Sequence, residues 1–207
     1  MNKYTVGIDY GTLSGRCVLI DVRDGKEVAT SVFEYPHAVI SGQLPDGTPL
    51  RNDWYLQYPK DYLDVLRVTV RDVLKIAGVD KSQVIGIGVD CTSCTILPIL
   101  EDGTAMCMLD CYASDPNAYV KLWKHHSAQP FADKMTEIAH QRNEKFIKRY
   151  GGKISSEWMF PKIWQTLAES PQVYHDTYCF LEACDWIVMQ LTGKIIRNSC
   201  AAGAKSL

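Results

Sequence analysis

Two short apolar runs, Tyr4-Thr5-Val6-Gly7-Ile8 and Cys17-Val18-Leu19-Ile20, enclose the polar stretch from Asp9 to Arg16. Each run is rich in β-branched residues, bounded by turn formers and too short for a helix, so each predicts a strand. Strands this close in sequence fold back on each other, which puts Asp9, Gly11, Thr12, Ser14 and Arg16 at the tip of a β-hairpin. Asp24-Gly25 then supplies a second tight turn before the alternating run Lys26–Tyr35, so the chain opens as a three-stranded meander.

Residues 36–58 are rich in Pro, Gly and Asp with aromatic insertions, and predict a long surface excursion of the kind that often carries function. From Pro59 to Ala77 the apolar positions 62, 63, 66, 70, 73, 74 and 77 follow helical spacing, with Gly78 suited to the stop. Val84–Val89 and Thr95–Leu100 predict two buried strands joined by the polar stretch Asp90–Cys94. A meander, a helix and further strands make a mixed α/β sheet. The second half turns helical: Asp115–Ala128, Pro130 to about Arg149 before Gly151-Gly152, Ser156–Glu169, and Leu181–Leu191 before Thr192-Gly193. No element is predicted after these.

A chain of 207 residues, 46% hydrophobic and 22% charged, suits one globular domain rather than disorder. The net charge of −2 gives no general attraction to nucleic acid, and the basic cluster Lys145–Arg149 with Lys153 predicts a solvated helix face. Asp9 and Arg16 interrupt any leader, and no run of eighteen apolar residues offers a membrane span, so a cytoplasmic protein is expected. In that compartment the eight cysteines are expected as free thiols. Cys91-x-x-Cys94 and Cys107-x-x-x-Cys111 have zinc-like spacing, but both pairs adjoin strands, where residues three apart face opposite sides. Zinc is therefore disfavoured.

The hairpin tip has the ingredients of a phosphate cradle. Gly11 lets backbone approach a ligand, turn N–H groups suit phosphate oxygens, Thr12 and Ser14 add hydroxyls, and Arg16 can neutralise charge. Asp9 can hold Mg²⁺ through water. The same residues also make an ordinary hairpin turn, and composition leaves both readings open. Gly7, Gly11 and Gly15 do not fit the dinucleotide fingerprint, and the chain lacks a Gly-Lys-Ser/Thr loop.

The stretch GIDYGTLSGR (Gly7–Arg16) resembles the first phosphate motif of the FGGY family of carbohydrate kinases, within the actin, Hsp70 and sugar-kinase superfamily. GIGVDCTSCTILP (Gly86–Pro98), VKLWKHH (Val120–His126), RYGGKISSEWM (Arg149–Met159), LEACDWIVMQLTGK (Leu181–Lys194) and NSCAAGAKSL (Asn198–Leu207) are similar to the ribulokinase branch of that family. The resemblance thus spans the whole chain. It implies a ribonuclease-H-like α/β fold with a mixed sheet and flanking helices, residues 1–207 being the N-terminal FGGY domain. It implies ATP- and Mg²⁺-dependent phosphorylation of L-ribulose, or a related pentulose, at the terminal hydroxyl, as in L-arabinose catabolism.

By the same resemblance Asp9 organises the magnesium, Thr12, Leu13 through its backbone, Ser14 and Arg16 meet the ATP phosphates, and Ser93 and Lys205 reach the sugar. Glu157 and Trp158 fall where related kinases line the sugar pocket, with packing of Trp158 between helices equally open. Asp185 is expected to be structural, and His125 and His126 are expected at the surface. A complete FGGY kinase is more than twice this length, and its C-terminal domain supplies the general-base aspartate and the adenosine site. Without that missing C-terminal FGGY domain the chain is expected to be inactive, and a severed apolar face is expected to favour a homo-oligomer. The alternatives are a non-catalytic sugar- or nucleotide-binding regulatory module and a kinase for a related pentulose or polyol.

Overall fold

The computed structural model describes residues 2–205, with the side chains of 204 and 205 outside the description. The meander forms as expected: β1 (Tyr4–Tyr10), β2 (Ser14–Asp21) and β3 (Glu27–Glu34) pair antiparallel. Alternation sets its two faces, because Tyr4, Val6, Ile8 and Tyr10 of β1 are buried while Asp9 is exposed. After the loop and the short β4 (Leu56–Gln57), helix α1 (Pro59–Ala77) crosses the sheet and delivers β5 (Val84–Cys91) parallel to β1. The strand order is β3-β2-β1-β5.

Helix α1 buries Tyr62, Val65, Thr69 and Val73, and Gly78 closes it at φ 63° by donating to the carbonyls of Leu74 and Lys75. The helix approaches β2 so closely that a Cβ at Gly15 would stand 2.5 Å from Val65 Cγ1. Glycine there is a packing requirement. Strand β5 is less buried than its composition suggests, with Ile85 56% and Ile87 47% exposed. It lies at the sheet edge, where apolar content alone does not bring cover.

A second, antiparallel sheet comprises β4, β6 (Ile96–Ile99), β7 (Val120–Lys121) and β8 (Cys179–Glu182), in the order β4-β7-β6-β8. Two of these strands replace expected helix. Over Asp115–Ala128, Asp115 caps only a single turn, Pro116–Ala118, and the chain then extends as β7 opposite Leu56 and Gln57. Leu181–Leu191 divides into the end of β8 and α5 (Ala183–Thr192), because Glu182 keeps extended backbone angles and pairs with Ile96. A short buried apolar run does not distinguish strand from helix.

Helix α2 (Gln129–Gln141) is shorter than expected, and the basic cluster lies on a separate turn, Phe146–Tyr150, beyond the left-handed Asn143. Helix α3 (Met159–Glu169) starts three residues late, and α4 (Pro171–Asp176) and α6 (Ser199–Lys205) were not expected. Buried side chains from both sheets join one core around Tyr10, Tyr62 and Trp186. Among the described residues no helix is long and apolar enough to cross a membrane.

Candidate phosphate and sugar site

The tip of the first hairpin, Gly11–Leu13, is fastened through its carbonyls. Tyr35 donates from its hydroxyl to Gly11 O (3.1 Å) and from its backbone to Leu13 O (2.9 Å), and Gln57 Nε2 donates to Thr12 O (2.9 Å). Gln57 is itself buried and receives the Tyr62 hydroxyl at 2.5 Å. Burial raises the pKa of Tyr35 and Tyr62 above that of an ordinary phenol, so both remain donors at neutral pH. The Trp123 indole N–H donates to Thr12 Oγ1 at 3.2 Å.

Asp9 and Arg16 stand opposite each other in the β1–β2 ladder, and Asp9 stands beside Asp90 in the parallel β1–β5 ladder. All three are exposed and line one open cavity of about 400 Å³ with Gly7, Val18 and Gly88. A Cβ at Gly88 would meet nothing within 4 Å, so the glycine leaves the floor of this cavity bare. Two carboxylates from neighbouring strands with free space between strand and solvent fit Mg²⁺, which takes one or two carboxylates and keeps several waters. Asp90 was not among the expected site residues. Its signal is a repeat: Gly7-Ile8-Asp9 and Gly88-Val89-Asp90 carry the same pattern and lie in register.

Immediately beyond Asp90 the chain turns through Cys91–Thr95. Thr92 N–H donates to Tyr10 O (3.2 Å), the Thr92 and Thr95 hydroxyls share a bond of 2.8 Å, and Cys94 adopts a left-handed φ of 64°. Ser93 is the exposed residue of this turn, three positions past the carboxylate. The cavity beside Asp90 and the Ser93 turn are thus consecutive, the turn following directly on the end of β5.

Glu157 and Trp158 are half-buried just ahead of α3. Trp158 packs edge-on against Tyr150 (4.9 Å between centroids), and Tyr150 donates from its hydroxyl to Gly203 O of α6 at 3.4 Å. Trp158 rests on the Phe146–Tyr150 turn, and α6 lies close to the same turn. Lys205 ends α6, and its side chain lies outside the described residues. The structure brings Asp9, Arg16 and Asp90 together, and groups Trp158 with α6.

His125 departs from its expected surface position: it is buried, with Nε2 2.9 Å from Gln165 Oε1, while His126 is exposed. Burial and the nearby Lys121 hold its pKa well below the usual imidazole range, so it is a neutral structural group. Lys121 is fully buried among oxygens of Asn117, Lys162, Gln165 and Thr166 at 2.7–3.1 Å. Asp185 is buried and accepts the Asn198 N–H at 2.8 Å. None of the eight cysteines is in a disulfide, and among the described residues no three His, Cys, Asp or Glu side chains cluster to hold a metal.

The sequence profile of the N-terminal domain of the FGGY family of carbohydrate kinases matches residues 4–207. The chain belongs to the FGGY family of carbohydrate kinases. This FGGY domain is 54% identical over 206 residues to the ribulokinase of Halalkalibacterium halodurans, covering 99% of this chain and 37% of that protein. It is 45% identical over 207 residues to the ribulokinase of Mycolicibacterium smegmatis, with coverages of 99% and 37%. The chain thus spans about 37% of the length of these relatives.

Its fold matches that of the gluconate kinase from Lactobacillus acidophilus, with a TM-score of 0.73 at 17% identity, covering 99% of this chain and 36% of that one. It also matches the ligand-bound xylulose kinase from the same organism, with a TM-score of 0.71 at 17% identity and coverages of 98% and 36%. At such identities the likeness establishes the fold. That fold is the expected sugar-kinase α/β fold with mixed sheet and flanking helices.

Proposed function

We propose that this chain is the N-terminal domain of an ATP-dependent L-ribulokinase, which transfers the γ-phosphate of ATP to the terminal hydroxyl of L-ribulose. The observation that carries the reading is the row Arg16, Asp9, Asp90 across three neighbouring strands, with the Ser93 turn directly beyond the end of the last strand. The relatives at 45–54% identity bear the name ribulokinase.

In this reading Asp9, with Asp90 beside it, holds Mg²⁺, which when bound neutralises the phosphate charge that builds up during transfer. Thr12, the Leu13 backbone and Ser14 orient the phosphates, and Arg16 binds their oxygens as a fixed cation. Ser93, Lys205, Glu157 and Trp158 bind and orient the sugar, with the indole face meeting its apolar edge. Phosphoryl transfer depends mainly on such positioning in a closed site. The C-terminal domain closes that site and contributes the base that takes the hydroxyl proton, and the complete enzyme works in the cytoplasm.

The test is a substrate panel on the complete protein, with L-ribulose, D-ribulose, D-xylulose and glycerol assayed by ADP release. The highest kcat/KM is expected for L-ribulose, and negligible ADP is expected from the 207-residue chain alone. A preference for glycerol would overturn the proposed substrate.

A further inference from the structure

Beneath the Ser93 turn lies a fully buried ammonium. Lys162 of α3 donates from Nζ to Cys94 O at 2.5 Å and to Leu122 O at 2.8 Å, with Lys121 O at 3.5 Å. Glu182, at the end of β8, is 3% exposed, and its Oε1 has no hydrogen-bond partner among the described residues. Strand pairing places Glu182 here: it lies opposite Ile96, and the next residue, Ala183, donates its N–H to Thr95 O at 2.7 Å. The carboxylate consequently feels both the Lys162 ammonium and the backbone N–H groups of Cys94 and Thr95.

Two features set this arrangement apart from ordinary packing. A buried charge is costly, and an apolar side chain would fill the same space with less penalty, so the charges are better explained by what they position. Cys94 holds a left-handed backbone that a residue with a Cβ keeps only when its surroundings impose it. The same ammonium reaches Leu122, whose neighbour Trp123 donates to Thr12 of the phosphate hairpin.

We propose that Lys162 and Glu182 are positioning residues that fix the Cys91–Thr95 turn for sugar binding, and that Lys162 couples this turn to the phosphate hairpin through Leu122, Trp123 and Thr12. The sugar part rests on the kinase reading above. The charged groups facing Glu182 are Lys162 from α3 and Asp185 from α5, and Arg197 lines the same cavity of about 200 Å³. Burial pushes the Glu182 carboxyl up to about 7, against the pull of Lys162, so its charge changes across the neutral range.

The test follows the backbone amide resonances of Ser93, Cys94 and Thr95 in the isotope-labelled chain as pH is raised, with and without L-ribulose. In the wild type the Cys94 and Thr95 amides are expected to titrate with a midpoint near 7, and L-ribulose to move Ser93 more strongly above that midpoint than below it. Glu182→Gln is expected to abolish the titration and weaken L-ribulose binding about tenfold in a folded chain. Lys162→Met is expected to weaken it at least as much, and if that variant does not fold, Glu182→Gln decides. An unchanged titration, or unchanged L-ribulose binding, in folded Glu182→Gln overturns the proposal. A wild type whose amides titrate but which ignores L-ribulose supports the positioning pair and overturns the sugar reading.

Discussion

The tip of the first hairpin and the Ser93 turn lie at one end of the same sheet but are held by different means. The hairpin is one contiguous segment, closed by its own ladder and steadied by neutral donors from Tyr35 and Gln57. The Ser93 turn is held from beneath by Lys162, with Glu182 buried beside it, and these arrive from α3 and β8 more than sixty residues away in sequence. A local motif gets its geometry from the strands that flank it, whereas a site assembled from distant segments needs directional fastening. Here the fastening is a charged donor with a buried carboxylate nearby, which makes that half the more sensitive to pH and to substitution.

The largest contrast should appear in catalysis. Asp9→Ala in the complete kinase is expected to lower kcat by roughly a hundred- to a thousandfold while leaving L-ribulose affinity within about threefold. Steady-state kinetics and sugar titration check this together. Equal losses in both would mean that the hairpin side also holds the sugar.

Stability should separate the two kinds of fastening. Lys162→Met removes the ammonium donor from the Cys94 and Leu122 carbonyls and leaves the Glu182 carboxylate uncompensated, an expected cost of about 3–5 kcal/mol. Gln57→Leu removes one neutral bond to Thr12 and one from Tyr62, an expected cost of about 1–2 kcal/mol. Urea unfolding of both variants measures the difference, and a reversed order would refute the distinction between ionic and neutral fastening.

A smaller effect concerns pH. Because the folded-state pKa of Glu182 is raised to about 7, the folded protein holds this proton more tightly than the unfolded chain does. Stability from this group is present below the ordinary glutamate range and is lost as pH rises to about 7, by about 2–3 kcal/mol. Glu182→Gln has no such loss, so wild type should fall in stability relative to the variant between about pH 5 and pH 8. His125 contributes an opposite slope at low pH, since its depressed pKa favours unfolding as the unfolded imidazole protonates, but it is common to both proteins and cancels. A constant difference between the two unfolding curves would show that Glu182 does not titrate in this range.

The hairpin was legible in the sequence because its chemistry and its geometry occupy the same ten residues, and α1 because its spacing, Pro59 and Gly78 agree. What was not legible depended on pairing across the chain. Val120-Lys121 and Cys179–Glu182 have no local mark of strand, since their extended form comes from partners at Leu56 and Ile96. The helix expected over Ser156–Glu169 carries no local sign that Lys162 is buried, and only the fold places it beneath Cys94. Asp90 was within reach, because its Gly-aliphatic-Asp pattern duplicates that of Asp9, but parallel register was needed to bring the two together.

Whether the two halves form one site is tested most directly by mapping amide shifts on the labelled chain with MgATP and with L-ribulose in turn. MgATP is expected to move the amides of Asp9–Arg16 and Asp90, and L-ribulose those of Thr92–Thr95 in the turn just beyond β5. The account would be contradicted if both ligands left these residues unmoved, or shifted instead the larger depression of about 660 Å³ around Arg51, Trp54 and Asp115, which shares no residue with the hairpin.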